Sequence, residues 1–447
     1  FQFKRRSGNN DGQYQGIISS LTSGNSQIFI RISDQNYLEL GFKNDNSNFS
    51  TEFYDSELIL FDKWYNFKIV LQNDQVLWYS NEVLIEVDDV NFQSLGQESN
   101  NVPTLSFGRG NTVYGEYFDG FLDEVKISIN NDDNYFAYYD FNDGEGQILS
   151  DISGNNDAII YGATWSDDVP QPLHLGPNWF VSIGEGSDEN NGSEDYPFSS
   201  IQRAINAANE NDSIYVSSGI YFENLFISEK NISLTSIDGP ESTIIDGNSN
   251  NRVVHINFSN SDSLIGHTTI DGFTIKNGIW DASGAGINVY YGHLELRNSI
   301  IENNESVADV GGGISVEYGN LYINESIIKG NKSKSGGGLA VREGSQVFIG
   351  GSFIEHNEVV QQGGGVFATG SSSLYFVNTN VLFNSTAQDC FTGQGSQGAG
   401  IFLKNSFISY QDGSISENYA ADTGGAFFLS DGSSGQFYQT LFSKNKG

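Results

Sequence analysis

The strongest candidates for chemistry in this 447-residue chain are side chains that recur at one position of an internal repeat. Tyr290, Glu317 and Arg342 begin this first column. A tyrosine ring can stack on a sugar, and carboxylate and guanidinium groups form hydrogen bonds with hydroxyls. The column has no adjacent carboxylates, which glycosidases require in pairs, and no set of aspartates that would hold Ca²⁺ in a lyase. It is therefore either a ligand-binding surface or an ordinary ladder of cross-strand pairs, with Glu317 opposite Arg342. The full first column contains Tyr290, Glu317, Arg342, Thr369, Lys404 and Ser430.

A second outward column is predominantly aromatic. We expect it to contain Glu295, Tyr322, Phe348, Tyr375, Ile408 and Tyr438. An exposed aromatic stripe can stack on sugar rings or cover the surface of another protein. The alternative is packing beneath loops of the same coil. Tyr322 and Tyr375 are the ligand-binding candidates in this column.

A turn in the first half of the chain is the candidate metal site. The segment DISGNND places Asp151, Asn155, Asn156 and Asp157 around a glycine. Carboxylate and amide oxygens are the ligands that hard cations prefer, so this turn predicts Ca²⁺ as a cofactor. A solvated turn is the alternative, since Asp, Asn and Gly are common turn residues.

A fixed repeat must position both columns. A small-residue triplet begins at Gly284, Gly311, Gly336, Gly363, Gly398 and Gly424, at spacings of 27, 25, 27, 35 and 26 residues. An asparagine follows each triplet by 20 or 21 residues: Asn304, Asn331, Asn357, Asn384, Asn418 and Asn445. A period in this range is typical of a solenoid, in which each repeat buries its apolar face against its neighbours. We expect the asparagines to form a ladder of side-chain amides.

The chain divides into three predicted parts. Residues 1–168 contain alternating runs such as 27–32, 37–40 and 64–70, which predict an antiparallel sandwich. Residues 169–177 hold three of the six prolines and form a predicted stiff linker. Residues 178–447 form the predicted solenoid, with a short helix near its start that is capped by Ser199 or Ser200.

The first part resembles a known family. The segments KWYNFKIVLQNDQVLWYSNEVLIE, LSFGRG and YFDGFLDEVKI are similar to the laminin-G-like, concanavalin A-like jelly roll of secreted bacterial proteins. The segment from Tyr138 to Pro170 is also typical of that family. This resemblance implies a jelly roll that binds glycans or another surface ligand.

The second part resembles a right-handed parallel β-helix of the pectin-lyase-like type. Its final unit, GGAF followed by Phe442-Ser443-Lys444-Asn445, is similar to the repeats of polymorphic outer-membrane proteins. The predicted fold is therefore all-β, an antiparallel jelly roll followed by a right-handed parallel β-helix.

Composition narrows the choice of partners and location. The formal net charge is −35, from 21 basic and 56 acidic residues, so nucleic acid and anionic membranes would be repelled. No apolar stretch is long enough to span a membrane. A single cysteine, Cys390, rules out an intrachain disulfide. We expect an extracellular or cell-surface location, and a longer parent chain that carries the export signal and anchor.

Three functional hypotheses remain open. The first is a non-catalytic secreted or surface protein in which the jelly roll binds glycans or surface proteins and the β-helix acts as an adhesin-like stalk. The second is a polysaccharide lyase or glycoside hydrolase with an appended carbohydrate-binding module, which would group acids or bases in one cleft. The third is a filament or surface-layer component that self-associates through the strand edges at the ends of the β-helix.

Overall fold

The structure is a computed structural model, and it confirms an all-β protein. It describes residues 1–6, 14–22, 25–43, 49–54, 56, 58–61, 63–72, 75–81, 83–89, 104–108, 117–128, 135–154, 156–166, 174–259, 267–387 and 396–447. Within those residues one helix occurs, Ile201–Ala207, and it is too short to cross a membrane. The chain forms two compact units, Phe1–Leu173 and His174–Gly447. Residues 169–173 of the predicted linker lie outside the described part.

The first unit consists of antiparallel sheets. One sheet has the strand order Gly120–Asp123, Gln2–Arg5, Trp64–Gln72, Gln75–Ser80 and Val83–Asp89. The other has the order Phe49–Tyr54, Leu38–Lys43, Asn25–Ile32, Gln15–Thr22 and Thr104–Phe107. Two short pairs join Val125–Ser128 with Tyr135–Tyr139 and Ile148–Leu149 with Ala158–Ile159.

Side chains from both large sheets share one core in this first unit. Phe3, Phe67 and Trp78 come from one sheet, and Ile17 and Ile32 come from the other. All five are fully buried. The period-2 alternation of the sequence therefore places one face of each strand in a common interior. The jelly-roll connectivity stays a prediction.

The second unit is a parallel β-solenoid of about eight coils. Each full coil passes through four sheets in the order sheet 1, sheet 2, sheet 3 and sheet 4. Sheet 1 contains Asn178–Val181, Ser213–Val216, Ser233–Ser236, His267–Asp271, His293–Arg297, Asn320–Asn324, Gln346–Gly350, Ser373–Val377, Phe407–Gln411 and Ser434–Tyr438. Sheet 2 contains Gly219–Tyr221, Thr243–Asp246, Thr274–Lys276, Ile300–Glu302, Ile327–Lys329, Phe353–Glu355, Asn380–Leu382, Ser414–Ser416 and Leu441–Ser443.

The other two sheets complete the coils. Sheet 3 contains Ile279–Trp280, Glu305–Ser306, Lys332–Ser335, Glu358–Gln362 and Ser385–Thr386. Sheet 4 contains Leu225–Ser228, Val254–Asn257, Ile287–Tyr290, Ile314–Glu317, Leu339–Arg342, Val366–Ala368, Ile401–Lys404 and Phe427–Ser430. The Gly triplets lie between sheets 3 and 4.

Equivalent residues of successive coils are direct neighbours, as the repeat predicts. Ile301 pairs with Ile328, and Ile328 pairs with Ile354. All three are fully buried. The column that starts at Ile287 is aligned in the same way with Ile314 and the later coils. Because a coil cannot bury this apolar face alone, stacking is what makes the fold stable.

The predicted asparagine ladder is also confirmed. From Asn304 to Asn445, Nδ2 of each asparagine donates to Oδ1 of the next at 2.9–3.0 Å. The same Oδ1 atoms accept from the backbone N–H of the preceding asparagine at 2.9–3.1 Å. A second Nδ2 bond reaches a backbone carbonyl, as from Asn357 to Ile328 at 3.0 Å. Every amide inside the ladder is therefore satisfied in the interior.

The Gly triplets allow the chain to return sharply to the stack. The first glycine of each triplet has a positive φ, for example 71° at Gly311. A Cβ on Gly311 would lie 2.6 Å from the Ile314 carbonyl oxygen, so a larger residue would be strained there. At the start of the unit, the Ser200 side chain caps the helix by accepting from Arg203 N–H, and Ile201 and Ala204 lie in the core.

Candidate ligand-binding sites

The structure brings the leading residues of the first column together on sheet 4. Tyr290 is the register partner of Glu317, and Glu317 is the register partner of Arg342. Nη2 of Arg342 donates to Oε2 of Glu317 at 2.9 Å, and these two side chains are 23% and 22% exposed. The pairing expected from the sequence is present, so at least part of this column forms a cross-strand pair.

Arg342 also makes a contact that the repeat did not predict. Its side chain crosses the neighbouring strand, and Nη2 donates to Oγ of Ser283 at 2.7 Å, two coils back. Ser283 Oγ in turn donates to Oδ2 of Asp309 at 2.7 Å. Asp309 and Glu317 are thus linked through Ser283 and Arg342 by three consecutive hydrogen bonds. Two carboxylates therefore belong to one hydrogen-bonded group, Glu317 on sheet 4 and Asp309 in the loop before Gly311.

A second arginine adjoins this group. Nε of Arg252 donates to the backbone carbonyl of Ser283 at 2.9 Å, and its guanidinium lies 5.3 Å from the ring centre of Trp280. We call the region between sheet 4 and the loops that precede the Gly triplets the Arg342 cleft. It is defined by Arg252, His255, Trp280, Ser283, Asn288, Tyr290, Asp309, Ser315, Glu317 and Arg342.

The charges in the Arg342 cleft oppose one another. Burial lowers the pKa of Arg252, and the Asp309 charge acts in the opposite direction. Burial also lowers the pKa of His255, and the Arg252 charge lowers it further. His255 is therefore favoured in its neutral form. With two cations facing two carboxylates, the cleft has little net charge of its own, although the chain as a whole is acidic.

Three tyrosines lie beside the Glu317–Arg342 pair. Tyr291 and Tyr318 stack at a ring separation of 4.8 Å, and Tyr290 meets them edge-on at 4.6 and 6.0 Å. Tyr318 is 42% exposed. The Glu343 charge is the largest of several causes that raise the pKa of Tyr318, and the charges of Glu317 and Arg342 also act on it. An aromatic cluster and an ion pair are thus adjacent at the rim of the cleft.

The second column is a stacked aromatic ladder on sheet 1. Tyr322 and Phe348 stack at 4.9 Å with nearly parallel rings, and Phe348 and Tyr375 stack at 4.7 Å. The ring faces are directed at one another, as in packed aromatic pairs, and ligand binding by Tyr322 and Tyr375 stays a prediction. The prediction was wrong for Ile408 and Tyr438. Ile408 pairs with Leu374 and is fully buried, Tyr438 pairs with Gln411, and the residue beside Tyr375 is Ser409.

The turn proposed for calcium is held by hydrogen bonds to Asp151. Its Oδ1 accepts from Tyr138 N–H, Ser153 N–H and Ser153 Oγ at 2.6–2.9 Å. Its Oδ2 accepts from N–H and Nδ2 of Asn156 at 3.0 and 3.2 Å. Asp157 Oδ1 accepts from Asp151 N–H at 3.0 Å. Donors therefore surround both carboxylate oxygens of Asp151, and the calcium site stays a prediction. Asn155 lies outside the described residues.

No other metal site is evident in the described part of the chain. There, no group of three or more His, Cys, Asp or Glu side chains is arranged to hold a metal ion. Bound calcium stays an untested prediction.

Sequence reasoning missed Arg252, Ser283 and Asp309. They come from loops or strand edges outside the two columns, and none of them recurs at a fixed position in the repeat. The sequence offered one indication of this group. Basic residues are scarce in this acidic chain, and two of the few arginines, Arg252 and Arg342, lie in the solenoid.

The solved structures to which this chain is similar include a carbohydrate-binding protein and pectin methylesterases, all at low identity. No protein-family model and no curated protein matches the sequence. A Bacteroides ovatus structure described as a candidate carbohydrate-binding protein is 16% identical, with a TM-score of 0.26 over 39% of this chain. This chain covers 54%, about half, of that protein. Pectin methylesterase PemA from Erwinia chrysanthemi is 12% identical, with a TM-score of 0.27 over 57% of this chain and 89% of that one. The carrot pectin methylesterase is 15% identical, with a TM-score of 0.30 over 61% and 85%. At these scores, the neighbours assign no activity to this chain.

Proposed function

We propose that this protein is a non-catalytic glycan-binding protein, and that the Arg342 cleft of the solenoid binds an uncharged carbohydrate. The observation that supports this best is the contact between the tyrosine cluster and the Glu317–Arg342 pair. Sugar rings present C–H faces that pack on aromatic rings, and hydroxyls that pair with carboxylate and guanidinium groups. Both kinds of group occur together at one partly exposed site.

The charges of the cleft and of the whole chain favour an uncharged ligand over an acidic one. The two arginines of the cleft are each opposed by a carboxylate, Asp309 or Glu317. The whole chain has a net charge of −35 and would repel a polyanion at long range. A neutral oligosaccharide avoids that repulsion and still finds both donors and acceptors in the cleft.

The proposal keeps the extracellular or cell-surface location and the stalk role of the solenoid. Their support is compositional, namely an acidic surface rich in Asn, Gly and Ser together with long stacked coils. The first unit stays an alternative binding site, for glycans or surface proteins, within the same non-catalytic proposal. Its binding would be measured with the full chain by comparing ligands with and without Ca²⁺.

Titration with a panel of neutral oligosaccharides tests the main proposal. We expect Tyr290→Ala to weaken binding of the best ligand about tenfold, because it removes a stacking surface. Tyr375→Ala is the matched control from the aromatic ladder of the same solenoid, and we expect no change from it. Absence of binding across the panel, or loss in the control but not in Tyr290→Ala, contradicts the proposal.

Glycoside hydrolysis is the second candidate, because Asp309 and Glu317 share the cleft. A hydrolase needs two carboxyl groups that flank the bond to be cleaved. Release of reducing ends from a bound oligosaccharide would identify this activity. If it is enzymatic, Glu317→Gln and Asp309→Asn should each abolish it while ligand binding persists. No release by the wild type at saturating ligand supports the binding role.

A further inference from the structure

The Arg342 cleft contains an unusual concentration of buried polar atoms that lack a hydrogen-bond partner. Five such side-chain atoms occur in the described part of the chain, and four belong to this cleft: His255 Nδ1, Trp280 Nε1, Ser315 Oγ and Arg342 Nε. The fifth is Oγ of Ser396. Buried polar groups in folded proteins are normally paired. Their concentration in one region of a solenoid whose interior asparagine ladder is paired calls for a physical reason.

The four atoms are connected through the residues that form the cleft. Ser315 is fully buried and lies on sheet 4 beside Asn288, which is the register partner of His255. Arg342 crosses the strand that carries Ser315 to reach Ser283. Trp280 lies against Arg252, which also bonds Ser283. Trp280 and Arg342 are therefore linked through Arg252 and Ser283, and Ser315 lies on the strand between the coils that carry Ser283 and Arg342.

The chemistry of these atoms restricts what they can bind. The indole Nε1–H and the guanidinium Nε–H only donate, so their partner must be an acceptor oxygen. The Ser315 hydroxyl can also donate, and neutral His255 can donate or accept through Nδ1. A carbonyl oxygen has two lone pairs and no proton, and it can accept from two donors at once. Since the arginines are already opposed by carboxylates, a charged acceptor is not required.

We infer that the floor of the Arg342 cleft is a subsite for an uncharged acyl carbonyl carried by a sugar, such as an N-acetyl or O-acetyl substituent. The inference rests on the proposed glycan-binding function and adds the substituent that the site selects. Nε1–H of Trp280 and Nε–H of Arg342 are the two donors assigned to the carbonyl oxygen, and Oγ of Ser315 is assigned to the amide N–H or the ester oxygen of the same acyl group. Entry requires the Arg342 guanidinium to leave Ser283, which its partly exposed position permits.

Two conservative substitutions make this subsite testable. Ser315→Ala places alanine where the next coil has Ala340, at the same register position. It removes no hydrogen bond from the free protein, so we expect unchanged stability. Trp280→Phe removes the indole N–H and keeps an aromatic ring beside Arg252. Ser326→Ala is the control outside the cleft. Ser326 is buried like Ser315, but its Oγ donates to the Asn324 carbonyl at 2.8 Å and accepts from Ser299 N–H at 3.1 Å, so this variant should lower stability without changing ligand preference.

The experiment compares tetramers of glucose, O-acetylated glucose, N-acetylglucosamine and glucuronic acid by calorimetry on the full chain. We expect an acylated tetramer to bind about tenfold more tightly than the glucose tetramer. Ser315→Ala and Trp280→Phe should each reduce that preference about fivefold, the value of one ordinary hydrogen bond. Ser326→Ala should preserve the preference. The N-acetyl and O-acetyl arms show which acyl source is recognised.

Three outcomes overturn the inference. Equal binding of glucose and acylated tetramers with no effect of Ser315→Ala rejects the acyl subsite and leaves the proposed glycan binding intact. Preference for the glucuronic acid tetramer shows that the cleft selects a charge and not an acyl group. Absence of binding by all four tetramers, and by the wider neutral panel, rejects the proposed function together with the subsite.

Discussion

The asparagine ladder and the Arg342 cleft are built from the same repeat, yet they differ in how completely their polar atoms are paired. In the ladder, one residue type recurs in six coils, and each interior amide bonds the coil on either side. In the cleft, the equivalent sheet-4 positions carry Tyr290, Glu317 and Arg342, and buried polar atoms lack partners. The ladder is uniform and its interior amides are paired, whereas the cleft is varied and contains buried polar atoms without a partner.

This difference separates the part of the repeat that maintains the stack from the part that can bind. A uniform column gives each coil the same bond with the next, so it stabilises any number of coils. A varied column cannot do this, and unpaired groups in it lower stability unless a ligand pairs them. The aromatic ladder on sheet 1 belongs with the asparagines, because its rings satisfy one another by stacking.

The largest expected effect is the loss of an interior rung of the asparagine ladder. Asn357→Ala removes the acceptor of Asn331 N–H and Nδ2 and the donor to the Ile328 carbonyl. Leaving such groups unpaired in the core should lower the free energy of unfolding by about 4 kcal/mol. Denaturant unfolding followed by circular dichroism measures it. Asn445→Ala makes the matching change in a partly buried rung. A loss for Asn445→Ala equal to that for Asn357→Ala would contradict the role of burial.

The sequence predicts the uniform columns well because they depend on the period alone. The Gly triplets and asparagines gave the solenoid, the apolar column through Ile301 and the amide ladder without knowledge of any loop. Ile408 and Tyr438 show where counting fails. The residues aligned with Tyr375 in the last two coils are Ser409 and Gln436, so counting is one residue off at Ile408 and two residues off at Tyr438. A slip of one residue moves a side chain to the opposite face, and Ile408 is in the core.

The Arg342 cleft was only partly predictable for a related reason. Tyr290, Glu317 and Arg342 follow from the repeat, because strand register places them side by side. Ser283 and Asp309 come from loops that vary between coils, and the reach of Arg342 over two coils depends on its side-chain conformation. No periodic signal encodes that conformation.

Removing the middle ring of the aromatic ladder should cost less than removing an asparagine. Phe348→Ala takes away the ring that stacks with both Tyr322 and Tyr375. We expect a loss of about 2 kcal/mol in unfolding free energy, because the ring is only partly buried and lies outside the core. Glycan affinity should stay the same. A large fall in affinity would show that the ladder, and not the cleft, binds the ligand.

Acidification should lower the free energy of unfolding through His255 in the cleft, and not through the asparagine ladder, which has no titratable group. Burial and the Arg252 charge lower the pKa of His255 in the folded state, whereas the unfolded chain has a pKa of about 6.5. The unfolded state therefore binds the proton more readily, and stability falls as pH drops below about 6.5 towards the folded pKa. Solvent screening at this half-buried site limits the effect to about 1 kcal/mol or less.

A difference measurement isolates this histidine from the carboxylates that titrate nearby. His255→Asn introduces the residue that Asn288 already supplies at the same register position, so the fold should tolerate it. We expect unfolding free energy to change less between pH 7 and pH 5 in the variant than in the wild type. If the unfolding free energy changes equally with pH in the wild type and in the variant, the pKa of His255 is not lowered by its surroundings in the cleft.

The smallest expected effect is on the stability contributed by the Glu317–Arg342 pair. Both side chains are more than one-fifth exposed, and pairs of this kind contribute about 0.5 kcal/mol. A double-mutant cycle with Glu317→Gln and Arg342→Gln measures the coupling in the unfolding free energy, while the same variants are titrated with the best neutral oligosaccharide. We expect the coupling to be small and the loss of affinity to be large, at least about tenfold for Arg342→Gln. A coupling of several kcal/mol with unchanged affinity would show that this pair, like the asparagines, stabilises the stacking of coils and does not bind the ligand.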